Sequence, residues 1–122
     1  MIEDRFPESF KRAAYHPSAF VFAWKRKDLE KLFDELNLSN IAIKVMEVWI
    51  VEDVPDRLVP LKNGNILTFV HKNFRQKDEE WSDFVERSIK ETTDFINDNN
   101  LEKNVVPDKV NYLWYHFEFI ED

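Results

Sequence analysis

Between residues 79 and 97 the apolar side chains return every three or four positions. At the helical rotation of 100° per residue, Trp81, Phe84, Val85, Ile89, Phe95 and Ile96 fall within an arc of roughly 140°, with every charge on the opposite side. This predicts a helix from about Glu79 to Asn97. Asp78 suits its N-cap, Glu79 and Glu80 its positive end, and Asp83/Arg87 and Glu86/Lys90 are acid-before-base pairs four apart. "NDNN" (97–100) closes it with residues that tolerate the left-handed conformation. Ser88 and Thr92 interrupt the stripe, and are expected to bond back to the carbonyl four residues earlier and let a sheet approach closely.

The same pattern orders the remainder. "AFVFAW" (19–24) reads as a short strand ending near Trp24, because a helix there would turn Phe20 and Trp24 away from the stripe of Leu29, Leu32, Phe33 and Leu36. That stripe predicts a helix from about Lys27 to Leu36 or Leu38, with Asp28 and Glu30 in its first turn and "NLSN" at its end. "IAIKVMEVWIVE" (41–52) is β-branched and apolar on both faces, as a central strand is. Asn63-Gly64 marks a hairpin between strands near 57–61 and 65–72, and Pro55 and Pro60 place the first of these at a sheet edge near Leu58, where self-pairing is open. "VNYLWYHFEFI" (110–120) alternates, with Leu113, Tyr115, Phe117 and Phe119 on one face and Tyr112, Trp114, His116 and Glu118 on the other. Residues 1–18, carrying Pro7 and Pro17, read as an irregular arm docking through Phe6, Phe10 and Tyr15. The expected fold is α+β: a four- to five-stranded, mostly antiparallel sheet with two amphipathic helices packed on one face.

Length and charge narrow the function. A chain of 122 residues supports one ordinary core, so residues 1–122 are expected to form a single domain. The formal charge of −7 repels nucleic acid and anionic membranes and attracts a basic partner. The absence of cysteine excludes thiol chemistry and cysteine-bound zinc, and fits a reducing compartment. With an acidic opening and no long apolar run, a cytoplasmic location is expected. Gly64 is the single glycine, so the phosphate-cradling loops of dinucleotide and triphosphate folds are excluded.

Catalytic signatures are weak. His16, His71 and His116 are scattered; His116 shares a strand face with Glu118, which is half of a metal site, and no metal or cofactor is expected. No serine has a histidine partner with a strand-to-helix nucleophile turn. Glu47 interrupts an apolar strand between Val45 and Trp49 and needs a partner there, either Arg87 or backbone donors; the alternative is a general base in a pocket. Phe74, Tyr112 and Trp114 fall away from the core without a basic groove, so they suit a protein-binding hot spot, or else pack under the N-terminal arm.

Two stretches, "EVWIVEDVPDRLVPLKNGN" and "EEWSDFVERSIKETTDFI", resemble the immunity proteins of bacterial polymorphic-toxin systems, and most closely the immunity family numbered forty. In that pattern an Ile-rich strand leads into an acid-Val-aromatic step, matched by Ile41, Ile43, Glu47, Val48 and Trp49. A tryptophan then opens a helix reading W-x-x-F-V-x-R-S, matched by Trp81, Phe84, Val85, Arg87 and Ser88. The likeness spans roughly residues 20–97, and Val45-Met46 stand where the pattern has two glycines. The resemblance implies a non-enzymatic protein that neutralises a cognate toxin by occlusion, with the matched residues architectural. A basic toxin would be met by an acidic and aromatic surface, for which Glu52, Asp53, Asp56, Tyr112 and Trp114 are the candidates. Two other readings are an acidic nucleic-acid mimic that inhibits a defence enzyme, which the interleaved Arg87 and Lys90 oppose, and a small enzyme using Glu47 in a pocket.

Overall fold

The computed structural model describes residues 2–18, 21–50, 70–99 and 113–122. A 3₁₀ turn at Ile2–Arg5 leads to α1 (Glu8–Ala13), β1 (Tyr15–Ser18), β2 (Val21–Trp24), α2 (Arg26–Leu38), β3 (Ala42–Ile50), β4 (Val70–Lys72), α3 (Trp81–Asp98) and β5 (Leu113–Ile120). The strands form one sheet in the order β1-β2-β5-β3-β4, antiparallel at each pairing. This is the expected α+β architecture. The hairpin at Asn63-Gly64 and the edge near Leu58 lie outside the described residues. Among the described residues no helix is long and apolar enough to cross a membrane.

The helices share one side of the sheet. Phe22, Trp24, Ile43, Met46, Val48, Leu113, Tyr115, Phe117 and Phe119 join Leu29, Leu32, Phe33 and Leu36 of α2 and Trp81, Phe84, Val85, Ile89 and Ile96 of α3 in a continuous buried core. Residues 1–18 depart from an irregular arm. Pro7, which needs no N–H partner, sits at the start of α1, and Pro17 falls in edge strand β1, where a missing ladder donor costs little. Phe6 and Phe10 dock on the core as expected, and the Trp24 indole N–H donates to the Phe10 carbonyl at 2.8 Å.

The ends of the helices show how local chemistry sets boundaries. At the end of α2, Asn40 takes φ 57 while the Ile41 N–H reaches back to the Leu36 carbonyl at 3.0 Å, a Schellman closure built on asparagine. The Trp81 indole N–H then donates to the Asn40 carbonyl at 2.8 Å, tying the start of α3 to that closure. Asp78 does not cap α3. The turn from Gln76 to Glu79 needs a left-handed residue in its third position, and Asp78 supplies it with φ 66, which leaves Glu80 at the N-cap without a side-chain bond. At the end of α3 the C-cap Asn99 is in the right-handed region, and its side-chain N–H donates to the Phe95 carbonyl at 2.8 Å; Asn100, the next residue of the predicted closure, lies outside the described residues.

Charge pairing along α3 also differs from the acid-before-base expectation. Arg87 bonds Glu79 through Nε and Nη2 at 2.8 and 2.9 Å, Glu91 through Nη1 at 3.0 Å and the Phe74 carbonyl through Nη2 at 2.6 Å, while Lys90 pairs with Asp94 at 2.8 Å. A two-point guanidinium–carboxylate fork outcompetes a single exposed contact with Asp83. Glu79 also accepts the Gln76 N–H at 2.9 Å.

Among the described residues the core contains one polar patch, and it fixes the register of β3. Pairing with β5 runs Ile43↔Phe119 and then Val45↔Glu118, so Lys44 is an extra residue in a bulge. At that point the Ile43 N–H donates to Ser88 Oγ at 3.1 Å and the Ile43 carbonyl accepts from Asn73 Nδ2 at 3.0 Å. The same amide reaches Thr92 Oγ1 at 3.0 Å and the Ser88 carbonyl at 3.3 Å, and His71 Nε2 meets Asn73 Oδ1 at 2.8 Å. Ser88 does not bond the carbonyl four residues back; its hydroxyl donates to the Val85 carbonyl, three back, which leaves its lone pairs to accept from the strand. Thr92 serves as an acceptor, and the bond to the carbonyl four residues back belongs to Thr93. Among the described residues no buried side-chain nitrogen or oxygen lacks a partner.

Removing Asn73 would strand several buried acceptors together, so Asn73→Ala is expected to destabilise by about 2–4 kcal/mol and Ser88→Ala by about 1–2 kcal/mol in urea unfolding. The Glu79 clamp makes a pH prediction. Hydrogen bonds from Arg87 hold the Glu79 carboxyl at about 2, below its ordinary 4.5. Because the folded value is the lower one, the stabilisation is complete above 4.5 and is lost as the pH falls towards 2. Glu79→Gln should therefore lower the melting temperature at pH 7, with the gap to wild type closing across that acidic window.

Candidate functional site

The bulge at Lys44 decides which β3 side chains leave the core. Uninterrupted alternation from buried Ile43 would send Val45, Glu47 and Trp49 inwards. One added residue reverses the phase, so Met46 and Val48 are fully buried and Val45, Glu47 and Trp49 face the other way. On β5 the alternation holds as read: Leu113, Tyr115, Phe117 and Phe119 are buried, Trp114 and His116 half-buried and Glu118 exposed. Cross-strand partners then form a row through all five strands, Tyr15–Ala23–His116–Glu47–Val70, with Trp114 opposite Trp49 in the row beside it.

This is the side of the sheet opposite the helices, and rings dominate its centre. Trp49 stacks on His116 at 4.3 Å and 14°, Tyr15 meets Trp114 at 5.7 Å, and the Lys25 ammonium lies 5.2 Å from the Trp114 ring. Ala23 is completely covered among them, a small residue that lets the larger rings close over β2. The His116 Nδ1 lies 2.9 Å from the Phe22 carbonyl. A carbonyl can only accept, so Nδ1 carries the proton and Nε2 is the ring's remaining nitrogen. Each ring is braced from the side, which lowers the entropy lost when a partner lands on it. On β4, Val70 is 41% exposed, and two positions beyond the strand Phe74 is 72% exposed.

Glu47 differs from its expected setting. It is half-buried on the open face, with Arg87 on the opposite side of the sheet in α3, and its Oε2 accepts the Trp49 indole N–H at 3.2 Å. Of the other residues matched to the resembled pattern, Trp81, Phe84 and Ser88 are buried in the core and Arg87 makes the Glu79 clamp. Those four positions are structural, whereas Glu47 and Trp49 belong to the open face. Met46, where the pattern has a glycine, fills the core, and Val45 faces outwards.

Of the proposed partner-binding residues, Trp114 lies at the centre of the ring cluster. Glu52, Asp53, Asp56 and Tyr112 lie outside the described residues. Phe74 is exposed as alternation suggested, and Trp114 is shielded on one side by Tyr15. Sequence reasoning missed Trp49, His116 and Tyr15 as members of one surface; alternation in β5 pointed to His116, and only the bulge brings Trp49 onto it.

At one margin of this face a pocket of ≈ 410 Å³ is lined by Ile2, Glu3, Phe22, His116, Phe117, Glu118 and Phe119. Burial raises the Glu3 carboxyl above its ordinary value. Glu118 pairs with Lys44 at 3.5 Å. Among the described residues no three His, Cys, Asp or Glu side chains converge to hold a metal ion. Another pocket lies between α2 and α3, and Glu47 lines neither of these two.

Comparison with protein-family models, curated proteins and solved structures found no match. The functional reading rests on the geometry of the face and on the sequence resemblance.

The two faces should respond differently to truncation. Trp114→Ala, on the open side, is expected to cost about 1–2 kcal/mol, and Trp24→Ala, fully buried with a hydrogen bond, about 3–5 kcal/mol in denaturant unfolding.

Proposed function

We propose that the chain is an immunity protein that neutralises a bacterial toxin by binding it, and that the face of the sheet opposite α2 and α3 is the surface it offers. The observation that carries this reading is the braced ring cluster of Tyr15, Trp49, Trp114 and His116 on a face away from the helices. Tryptophan and tyrosine supply most of the affinity at protein interfaces when they sit in a central, water-excluding patch. Here they are central to the sheet and flanked by charged or polar residues, Glu47, Glu118, Lys25 and Lys72, which suit a rim.

Net charge adds the kinetic part. A chain of charge −7 attracts a basic toxin from solution, raising encounter rates by about 10- to 1000-fold at low salt. An inhibitor has to arrive before damage is done, so a steered approach and a rigid aromatic landing surface complement one another. Glu52, Asp53 and Asp56 remain the steering candidates from sequence, with Trp114 the anchor.

The test is co-expression with the polymorphic toxin encoded beside this gene. Wild type should rescue growth, and Trp49→Ala with Trp114→Ala should weaken binding about 30-fold or more and abolish rescue while the protein still melts cooperatively. Reversing charge at Glu52, Asp53 and Asp56 should slow association and leave dissociation little changed. Failure of wild type to rescue would remove the immunity reading; undiminished rescue by the double variant would remove this face.

A further inference from the structure

Among the charged groups that flank the rings, Glu47 is the acid in contact with them. Its Oε2 accepts the Trp49 indole N–H at 3.2 Å, and its cross-strand neighbours on the open face are His116 of β5 and Val70 of β4. The Cβ atoms of such neighbours stand about 5 Å apart, so a surface that covers Trp49 and His116 also covers Glu47. The carboxylate is already half-buried in the free chain.

The rest of the face supplies its own cations. Glu118 is exposed and pairs with Lys44 at 3.5 Å, and the Trp114 ring has the Lys25 ammonium 5.2 Å from its centre. Glu47 and Trp49 have no such neighbour: among the described residues no basic side chain pairs with this carboxylate, and none lies over the Trp49 ring. The Trp49 N–H fills one acceptor position of a carboxylate that has several, and holds the group beside the indole with an oxygen to spare.

Docking strips water from this group. A covered carboxylate without a counter-charge works against association, whereas a cation brought by the partner turns the same group into a point of selection. Lysine and arginine are unequal here. The carboxylate stands beside a flat stack, Trp49 on His116 at 4.3 Å and 14°, and a planar guanidinium can lie on a ring while its N–H groups reach an adjacent carboxylate.

We propose that Glu47 is the specificity-determining residue of the ring face and receives an arginine of the partner, the guanidinium lying on Trp49 and donating to the Glu47 carboxylate. The assignment rests on the toxin-binding reading, and names the side chain that a basic toxin has to bring.

Glu47→Gln tests it, because the amide oxygen keeps an acceptor for the Trp49 N–H and only the charge is lost. Against the toxin that the chain neutralises on co-expression, Glu47→Gln should bind about 10- to 100-fold more weakly, through faster dissociation, while melting as wild type does. Glu86→Gln removes the same charge from an exposed position on α3 and should leave dissociation unchanged. In NMR titrations of the free chain, N-acetyl-L-argininamide should shift the Trp49 indole N–H saturably, and the uncharged N-acetyl-L-citrullinamide should act at least about threefold more weakly. The arginine response should be lost in Glu47→Gln. Toxin binding by Glu47→Gln that equals or exceeds wild type would overturn the proposal. So would an equal response to the citrulline probe, or no saturable response to the arginine probe by about 100 mM. A wild-type chain that binds no toxin removes the toxin-binding reading itself, whereas a Glu47→Gln chain that binds as wild type removes only the arginine.

Discussion

The rest of the structure depends on the bonds that join Ile43 to Ser88 and Asn73. They hold the one irregular point of β3 against α3, in a setting where an unmet backbone group costs about 1–3 kcal/mol. The bulge is therefore fastened on the core side by a helix hydroxyl and a loop amide. Two consequences follow from one device. It seats α3 closely on the sheet, because Ser88 and Thr92 are small enough to let backbone approach backbone. It also sets the phase of every β3 residue after Lys44, and so decides that Met46 and Val48 are core while Glu47 and Trp49 are surface.

The open face is thus a product of the buried one. Trp49 reaches His116 only because the strand has shifted by one residue. His116 is held in turn by the Phe22 carbonyl, and Trp114 by Tyr15 and Lys25. Rings braced by neighbours and by the ladder are pre-organised, which is the property a protein-binding surface needs when its affinity rests on a few large side chains. The helix side works differently. On α3, Arg87 pairs with Glu79 and Glu91 and Lys90 with Asp94, and the apolar stripes of α2 and α3 face the core, with a groove between the two helices.

Much of the fold was legible in the sequence because periodicity survives translation into structure. The stripes of α2 and α3 and the alternation of Leu113 to Phe119 correspond directly to buried positions. The phase of β3 was not legible. A run that is apolar on both faces conceals an inserted residue, so simple alternation points Glu47 towards a buried partner, whereas it faces outwards and, among the described residues, takes the Trp49 N–H. Asn73 gave no signal by itself. The clue lay in its partners, since Ser88 and Thr92 in an apolar stripe imply a polar group brought to meet them from elsewhere. Residues 1–18 were obscured by prolines, which mark a helix start and an edge strand as readily as an irregular arm. The charge pairs of α3 do not follow helical spacing alone because Glu79, outside the helix, offers Arg87 a better fork than any helical neighbour.

The account stands or falls on which side of the sheet meets a partner. Hydroxyl-radical footprinting of the chain, free and mixed with the kind of partner proposed for it, a basic toxin that it protects against on co-expression, reads this directly at oxidisable rings. The account predicts strong protection of Trp49, Trp114 and Tyr15 on mixing, with Phe74 less affected and the exposed positions of α2 and α3 unchanged. Protection confined to α2 and α3, with Trp49 and Trp114 oxidised as fast in the mixture as in the free chain, would contradict it.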